Sequence, residues 1–269
     1  MADVLTVAGV DRPVRVAVEG PDAGTPLVLI HGFGGSLGWL DGVSAQLADE
    51  FRVIRVDLLG HGATGGLGVD APAQARMVEA VLASLDVYGA VAIGHSFGAD
   101  VAVELAETST RVDRLVIVAQ APDYSDATFP RGTSLMTRPV LGPGLHRVGR
   151  LLAAGLVPIV GRSRDPLRRT LAALAARDIQ ALDPGMFRVV LVERRDRMAG
   201  RPLDAQVRAA GKPTLVLLGG RDHFYGDRSA GRYRAAGARV EIRPDAGHSL
   251  LLDAPEWSVA LIRAFARET

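Results

Sequence analysis

VAIGHSFGADVAVELAE, residues 91–107, changes its periodicity within two residues. VAIG is a continuous apolar run, the pattern of a central parallel strand covered on both faces, whereas FGADVAVELAE spaces its apolar side chains as a helix does. Ser96 therefore stands on a sharp turn from a buried strand into a helix. Glycines at 94 and 98 remove side chains where such a turn would collide, and the amides of the new helix lie just behind the hydroxyl. A serine held this way is presented at the C-terminal edge of a sheet, where it can act as a nucleophile.

The pattern G-x-S-x-G occurs a second time, as GGSLG at 34–38. Ser36 lies several residues beyond the apolar run LVLI (27–30), inside an extended glycine loop, so no tight strand-to-helix turn holds it. It reads as a turn or helix-entry hydroxyl near Trp39.

Outward from the elbow, the rest of the chain keeps the same alternation. VRVAVE (14–19) alternates with period two, and LVLI, VIRV (53–56) and LVIVA (115–119) are buried-strand runs, with helical spacing at 72–85 and 97–107. Strand, helix, strand in succession predicts right-handed crossovers and a twisted, mainly parallel sheet with helices on both faces. From about 123 to 211 the strand signals stop, and proline and glycine punctuate expected helices near 145–157, 166–177 and 184–198. PTLVLLGG (213–220) and ARVEIR (238–243) resume the sheet, and APEWSVALIRAFARE (254–268) closes the chain as an amphipathic helix. The expected division is a core of 1–122 and 212–269 interrupted by a helical cap at 123–211.

Composition narrows the function. A chain of 269 residues, 48% hydrophobic and 23% charged, can bury a large core. The absence of cysteine excludes disulfides, thiolate nucleophiles and cysteine-ligated metal sites. A formal charge of +1 argues against a general nucleic-acid binder. The first residues carry no basic start followed by an apolar run, and the longest apolar run, LLAAGLVPIV (151–160), is far below the roughly 20 residues of a membrane span. A cytoplasmic protein without a membrane span is the expectation. The charge is unevenly spread: residues 123–211 hold 15 arginines against 8 acids, and the remainder holds 16 basic and 22 acidic residues. A preference for arginine over lysine does not explain that asymmetry, so the insert is a candidate surface for an acidic substrate or a carrier protein.

LVLIHGFGGSLGW (27–39), VDLLGHGATG (56–65), GHSFGA (94–99), LLGGRDHF (217–224) and DAGHSLLLDAP (245–255) together resemble the successive sequence blocks of the α/β-hydrolase superfamily, in its order. The resemblance covers roughly 13–122 and 212–266, and it implies an eight-stranded sheet with a helical cap inserted after the sixth strand. It also implies a serine-nucleophile, esterase-like branch, because the dehalogenase and epoxide-hydrolase arrangement carries aspartate at the position of Ser96.

A serine hydroxyl needs an adjacent base, and the base an orienting acid. His248, in the loop before the closing helix, corresponds to the superfamily's catalytic histidine. His31 and His61 read as braces of their loops, His95 belongs to the elbow, His146 lies in the insert, and His223 is the competitor. Asp222, at the end of TLVLLGG, fits the chain order Ser, Asp, His. Acids after the preceding strand, Asp123 or Asp126, are the alternative, and Asp245 reads as a turn residue. The oxyanion donors expected are the backbone N–H groups of Phe97 and of Phe33, with Gly34 beside it.

No metal or organic cofactor is called for. Leu135, Met136, Leu145, Leu152, Leu156, Met186 and Phe187 of the insert are expected to line an apolar pocket, together with Gly34, His95 and His223. Cleavage of small to medium, largely apolar carboxylic esters is the main expectation, followed by thioesters or carrier-bound esters. A ligand receptor on the same fold, with little or no turnover, is the reading from another class. A lipid-surface lipase is disfavoured, because the insert's apolar stretch is short and flanked by arginines.

Overall fold

The computed structural model describes residues 2–125, 127–129, 132–160, 166–224 and 228–268, with side chains throughout except at 2, 4, 153–160 and 166–168. The strands are β1 (Ala2–Leu5), β2 (Val14–Glu19), β3 (Pro26–Ile30), β4 (Arg52–Val56), β5 (Ala90–His95), β6 (Val112–Val118), β7 (Thr214–Gly219) and β8 (Arg239–Arg243). They form one sheet in the order β1-β2-β4-β3-β5-β6-β7-β8. From β4 to β8 every pairing is parallel, and β2 and β1 extend that edge antiparallel. This is the expected mainly parallel α/β fold.

Alternation along the central strands builds two apolar layers. In β3, Val28 and Ile30 face a layer shared with α2 (Ala71–Ser84) and α3 (Phe97–Thr108), while Leu27 and Leu29 face α1 (Asp41–Leu47), α10 (Leu250–Asp253) and α11 (Pro255–Arg267) across the other side. All four are fully buried. Each contributes about 1.5–3 kcal/mol, which is why these runs are apolar without interruption.

Between β6 and β7 the regular elements among the described residues are helical: a 3-10 turn (Thr133–Thr137), α4 (Leu141–Val160), α5 (Pro166–Ala181), α6 (Gly185–Arg188), a π-turn (Val189–Glu193), α7 (Arg194–Gly200) and α8 (Leu203–Ala210). The three helices expected there appear, with longer bounds. α8 has its own character. Leu203 and Val207 enter the layer of α2 and α3, and the Leu203 N–H donates to the Pro122 carbonyl at 2.9 Å. The sequence reading also passed over β1, α1 and α9 (Arg228–Ala235). Four residues are too few to show alternation, and α9, RSAGRYRA, turns only Ser229, Ala230 and Tyr233 inward.

Two loops at the C-terminal edge of the sheet are braced from within. Asp57 is fully buried and accepts from the N–H groups of Leu37 and Ala63 at 2.7 and 2.8 Å, tying the loop after β3 to the loop after β4. His31 donates through Nδ1 to the Gly32 carbonyl and accepts the Leu58 N–H at Nε2, at 2.8 and 3.0 Å. His61 packs edge-on against it, ring centroids 5.1 Å apart. Burial lowers the His31 pKa to about 4 and the His61 pKa to about 3, so both are neutral in the folded protein.

Unfolding returns these two groups to an ordinary value near 6.5. Their contribution is therefore complete above about pH 6.5 and is lost as pH falls from there towards 4 and 3. Within that window each adds about 1.4 kcal/mol per pH unit to the slope of stability against pH. The variant His31→Gln should reduce that slope by about one such increment in denaturant titrations between roughly pH 4.5 and 6. An unaltered slope would show that His31 takes no part in acid unfolding.

Candidate active site

β5 ends at His95 and α3 begins at Phe97, leaving Ser96 as the single connecting residue, with φ 51° and ψ −124°. That left-handed backbone is disfavoured for a residue with a side chain, at about 1–3 kcal/mol. The surroundings impose it. The Ser96 N–H donates to the Val118 carbonyl at 2.8 Å, a Cβ at Gly94 would collide with the Gly98 carbonyl, and one at Gly98 would collide with the carbonyls of Ile30 and His31. Both glycines are required by close backbone approach.

The Ser96 hydroxyl, projected above the sheet, lies 3.0 Å from Nε2 of His248. On the far side of the ring, Nδ1 lies 2.8 Å from Oδ2 of Asp222, whose other oxygen accepts the Phe224 N–H at 2.8 Å. Asp222 is nearly buried and His248 is partly open to solvent. Hydroxyl, imidazole and carboxylate thus form one chain of hydrogen bonds, with residues 152 and 26 positions apart brought together. The alternatives are occupied elsewhere or not described. Asp123 pairs with Arg232 at 2.6 Å, Asp245 with Arg243, and Asp126 lies outside the described residues.

His95 has a role the sequence reading missed. Its Nε2 donates to the backbone carbonyl of His248 at 2.9 Å, and burial, with the neighbouring His248 second, lowers its pKa to about 4. A neutral ring carrying its proton on Nε2 tethers the His248 loop to the elbow. Phe224 packs edge-on against His248, ring centroids 4.8 Å apart, two residues after Asp222.

The loop after β3 lies directly over the elbow. A Cβ on Gly32 would stand 3.1 Å from the Ser96 Cβ, and Gly34, at φ 72°, turns the chain back. Phe33 is therefore next to the serine, and Phe97, as the first residue of α3, has an N–H with no partner within the helix. Ser36 is fully buried and its hydroxyl is engaged by the insert. Its hydroxyl donates to Oδ2 of Asp178 at 2.8 Å and accepts from Arg177 at 2.9 Å.

A cavity of about 170 Å³ opens above Ser96 and His248, walled by Phe33, Gly34, Trp39, Leu40, Leu251 and Leu252. Gly34 and His95 border it, whereas the insert residues with described side chains do not. Leu135, Leu145 and Leu152 face solvent, and His223 points outward. Met186 is fully buried in the main core, against Gly60 and Gly68. Phe187 stands one layer back, edge-on to Phe33 at 5.0 Å, and Met136 is half-buried in a 3-10 turn (Thr133–Thr137). Leu156 belongs to α4, with its side chain outside the described set. Helical spacing marked these residues as apolar without distinguishing a wall of the cavity from core or outer surface.

Two buried ions join the insert to the site. Asp178, on α5, accepts the Trp39 indole N–H at 2.7 Å besides the Ser36 hydroxyl. Arg194, at the start of α7, pairs with Asp100 of α3 at 2.6 Å and donates to the Ala121 carbonyl. One strut thus reaches the loop of Phe33 and the other the helix that Phe97 opens. Asp100, four residues after Ser96 on an otherwise apolar buried face, was the one sign in the sequence of such a partner.

The profile of the Alpha/beta hydrolase family matches residues 27–261. An uncharacterised protein of Mycobacterium tuberculosis is 29% identical over 98% of this chain and 80% of its own. The pimeloyl-[acyl-carrier protein] methyl ester esterase of Nitrosomonas europaea is 29% identical over 93% of this chain and 98% of its own. Among solved structures, an esterase from Exiguobacterium antarcticum superposes with a TM-score of 0.78 over the whole of both chains at 18% identity.

Replacing Asp178 by alanine should leave the buried Ser36 hydroxyl without an acceptor, at about 1–3 kcal/mol, and free the part-buried Trp39 indole N–H. We expect a loss of stability on that scale. In a Trp257→Phe background, which leaves Trp39 as the single tryptophan, its emission should shift to the red. Unchanged emission and stability would mean that the Asp178 strut does not hold Trp39.

Proposed function

The chain belongs to the alpha/beta hydrolase family, and on that premise we propose that it is a carboxylic-ester hydrolase working through an acyl-enzyme on Ser96. The observation that carries the reading is the unbroken relay of 3.0 and 2.8 Å from Ser96 through His248 to Asp222, opening onto a cavity. In this reading residues 123–211 act as a cap over the core of 1–122 and 212–269, and the elbow presents the nucleophile beneath it.

The steps follow from the geometry. His248 takes the hydroxyl proton at Nε2 as Ser96 Oγ attacks the ester carbonyl, while Asp222 stays ionised and steadies the imidazolium that forms. Negative charge then appears on the carbonyl oxygen, and the amides of Phe33 and Phe97 meet it; one such donor is typically worth about 3–4 kcal/mol. Collapse of the tetrahedral intermediate expels the alcohol, which leaves with the proton that His248 returns. Water, activated by the same imidazole, releases the acid. A cavity of about 170 Å³ with mostly apolar walls favours small apolar acyl groups.

A second reading, an ester or thioester held on a carrier protein, is favoured by the surplus of 15 arginines over 8 acids in residues 123–211. The similarity to an acyl-carrier-protein ester esterase is in keeping with it. Association driven by that charge would weaken steeply with salt.

A fluorophosphonate probe should label the tryptic peptide Met77–Arg111, which contains Ser96, and leave Val16–Arg52, which contains Ser36, unmodified. Ser96→Ala should lower kcat/KM on p-nitrophenyl esters by at least about ten-thousandfold, with Ser36→Ala retaining turnover. Hydrolysis surviving in Ser96→Ala would overturn the assignment. Ligand-dependent stabilisation without multiple turnover would instead fit a receptor. For the carrier reading, turnover of an acyl group on an acidic carrier protein should fall at least tenfold between about 20 and 300 mM salt while that of the same free ester stays level. Parallel behaviour of the two substrates would remove it.

A further inference from the structure

Helix α4 carries its apolar stripe on the outside. Leu141, Leu145, Val148 and Leu152 recur at steps of four, three and four residues, which places them on one face, and Leu151 lies beside them. All five are exposed, Leu151 at 73%, and Val140 prolongs the patch at 90%. Among the described side chains of this helix, Gly142 and His146 are the ones turned inward. That is the reverse of a helix packed on a globular core, and a contiguous patch of this kind marks an interaction surface.

Charge identifies what covers it. Residues 127–164 contain six arginines and no aspartate or glutamate, and Arg138 and Arg147 are exposed along the patch. The partner is therefore both apolar and anionic. A single helix forms a convex ridge, for which a protein must supply a matching groove, whereas a lipid headgroup layer moulds to it and offers phosphate charge and acyl boundary together. An acidic carrier protein would meet the arginines and leave most of the aliphatic stripe in water.

We propose that the outer face of α4 docks this protein on anionic lipid surfaces, with the helix axis in the plane of the headgroups. The sequence reading disfavoured a lipid surface because the apolar stretch is short and flanked by arginines. A helix that lies on a bilayer needs no spanning length, and flanking arginines are what anionic headgroups bind. Among the described residues no helix is long and apolar enough to cross a membrane, which fits a helix that rests on the surface. The inference does not depend on the chemistry assigned to Ser96.

Co-sedimentation with phosphatidylcholine vesicles, pure or containing about one third phosphatidylglycerol, tests it. Binding should favour the anionic vesicles and weaken with salt. The pair Arg138→Glu and Arg147→Glu should lower partitioning at least tenfold, since each cationic side chain near such a surface is worth about fivefold. The pair Val148→Glu and Leu151→Glu should lower it as much, and both variants should keep the wild-type circular dichroism and p-nitrophenyl ester turnover. If the apolar pair disturbs folding, the arginine pair alone decides. No partitioning of the wild-type protein, or equal partitioning of a folded variant, would overturn the proposal. So would a wild-type dimer that Val148→Glu with Leu151→Glu dissociates, or an acidic carrier protein that binds α4 where vesicles do not.

Discussion

The backbone of Ser96 is the constraint on which the site rests. A side chain at φ 51° is held in a strained state only if everything around it leaves no alternative. β5 fixes the residue before it, α3 the residues after it, and the Val118 carbonyl its own N–H. Gly98 then brings α3 into contact with the carbonyls of Ile30 and His31, so the elbow and the end of β3 pack as one solid. His95 adds the third part by holding the His248 carbonyl. The proposed nucleophile, base and oxyanion loop consequently share one rigid frame, and small errors in any of them would be transmitted to the others.

The insert is tied into that frame by charge. Asp178 and Arg194 both leave their helices for buried positions, and removing a partner from such a group is far costlier than losing an exposed ion pair. Their targets are the loop that carries Phe33 and the helix that begins with Phe97. Arg194 follows directly on the π-turn Val189–Glu193, an irregularity of the kind that helices adopt at functional sites. Seating of the insert and shape of the proposed oxyanion region are therefore linked, while the outer face of α4 stays free for another task.

Much of this was legible from local pattern. Apolar runs gave away the central strands because a strand buried on both faces is mostly apolar, Arg55 of β4 being buried only with Glu19 and Asp41 as partners, and GHSFG announced its turn because only glycine survives at 94 and 98. His248 and Asp222 followed from their places in the blocks that resemble the superfamily. The insert was legible only as helices. Leu145, Leu152 and Met186 are equally apolar, yet two face solvent and one fills the core, since periodicity defines a face without saying what that face meets. Asp178 was hidden for the opposite reason. An aspartate next to an arginine within AARDIQALDP looks like an ordinary surface acid, and its burial depends on Ser36 and Trp39, some 140 residues earlier.

In the proposed reaction Oγ of Ser96, Nε2 of His248 and the two amides converge on one carbonyl group, and a crystal structure of the protein inactivated with a phosphonate ester, whose tetrahedral phosphorus imitates the intermediate, would locate all of them at once. Phosphorus should be bonded to Oγ of Ser96, with a phosphonyl oxygen within hydrogen-bonding distance of the Phe33 and Phe97 amides and Nε2 of His248 beside the oxygen of the leaving group. Phosphorus attached to another residue, or a phosphonyl oxygen turned away from both amides, would contradict the proposed reaction.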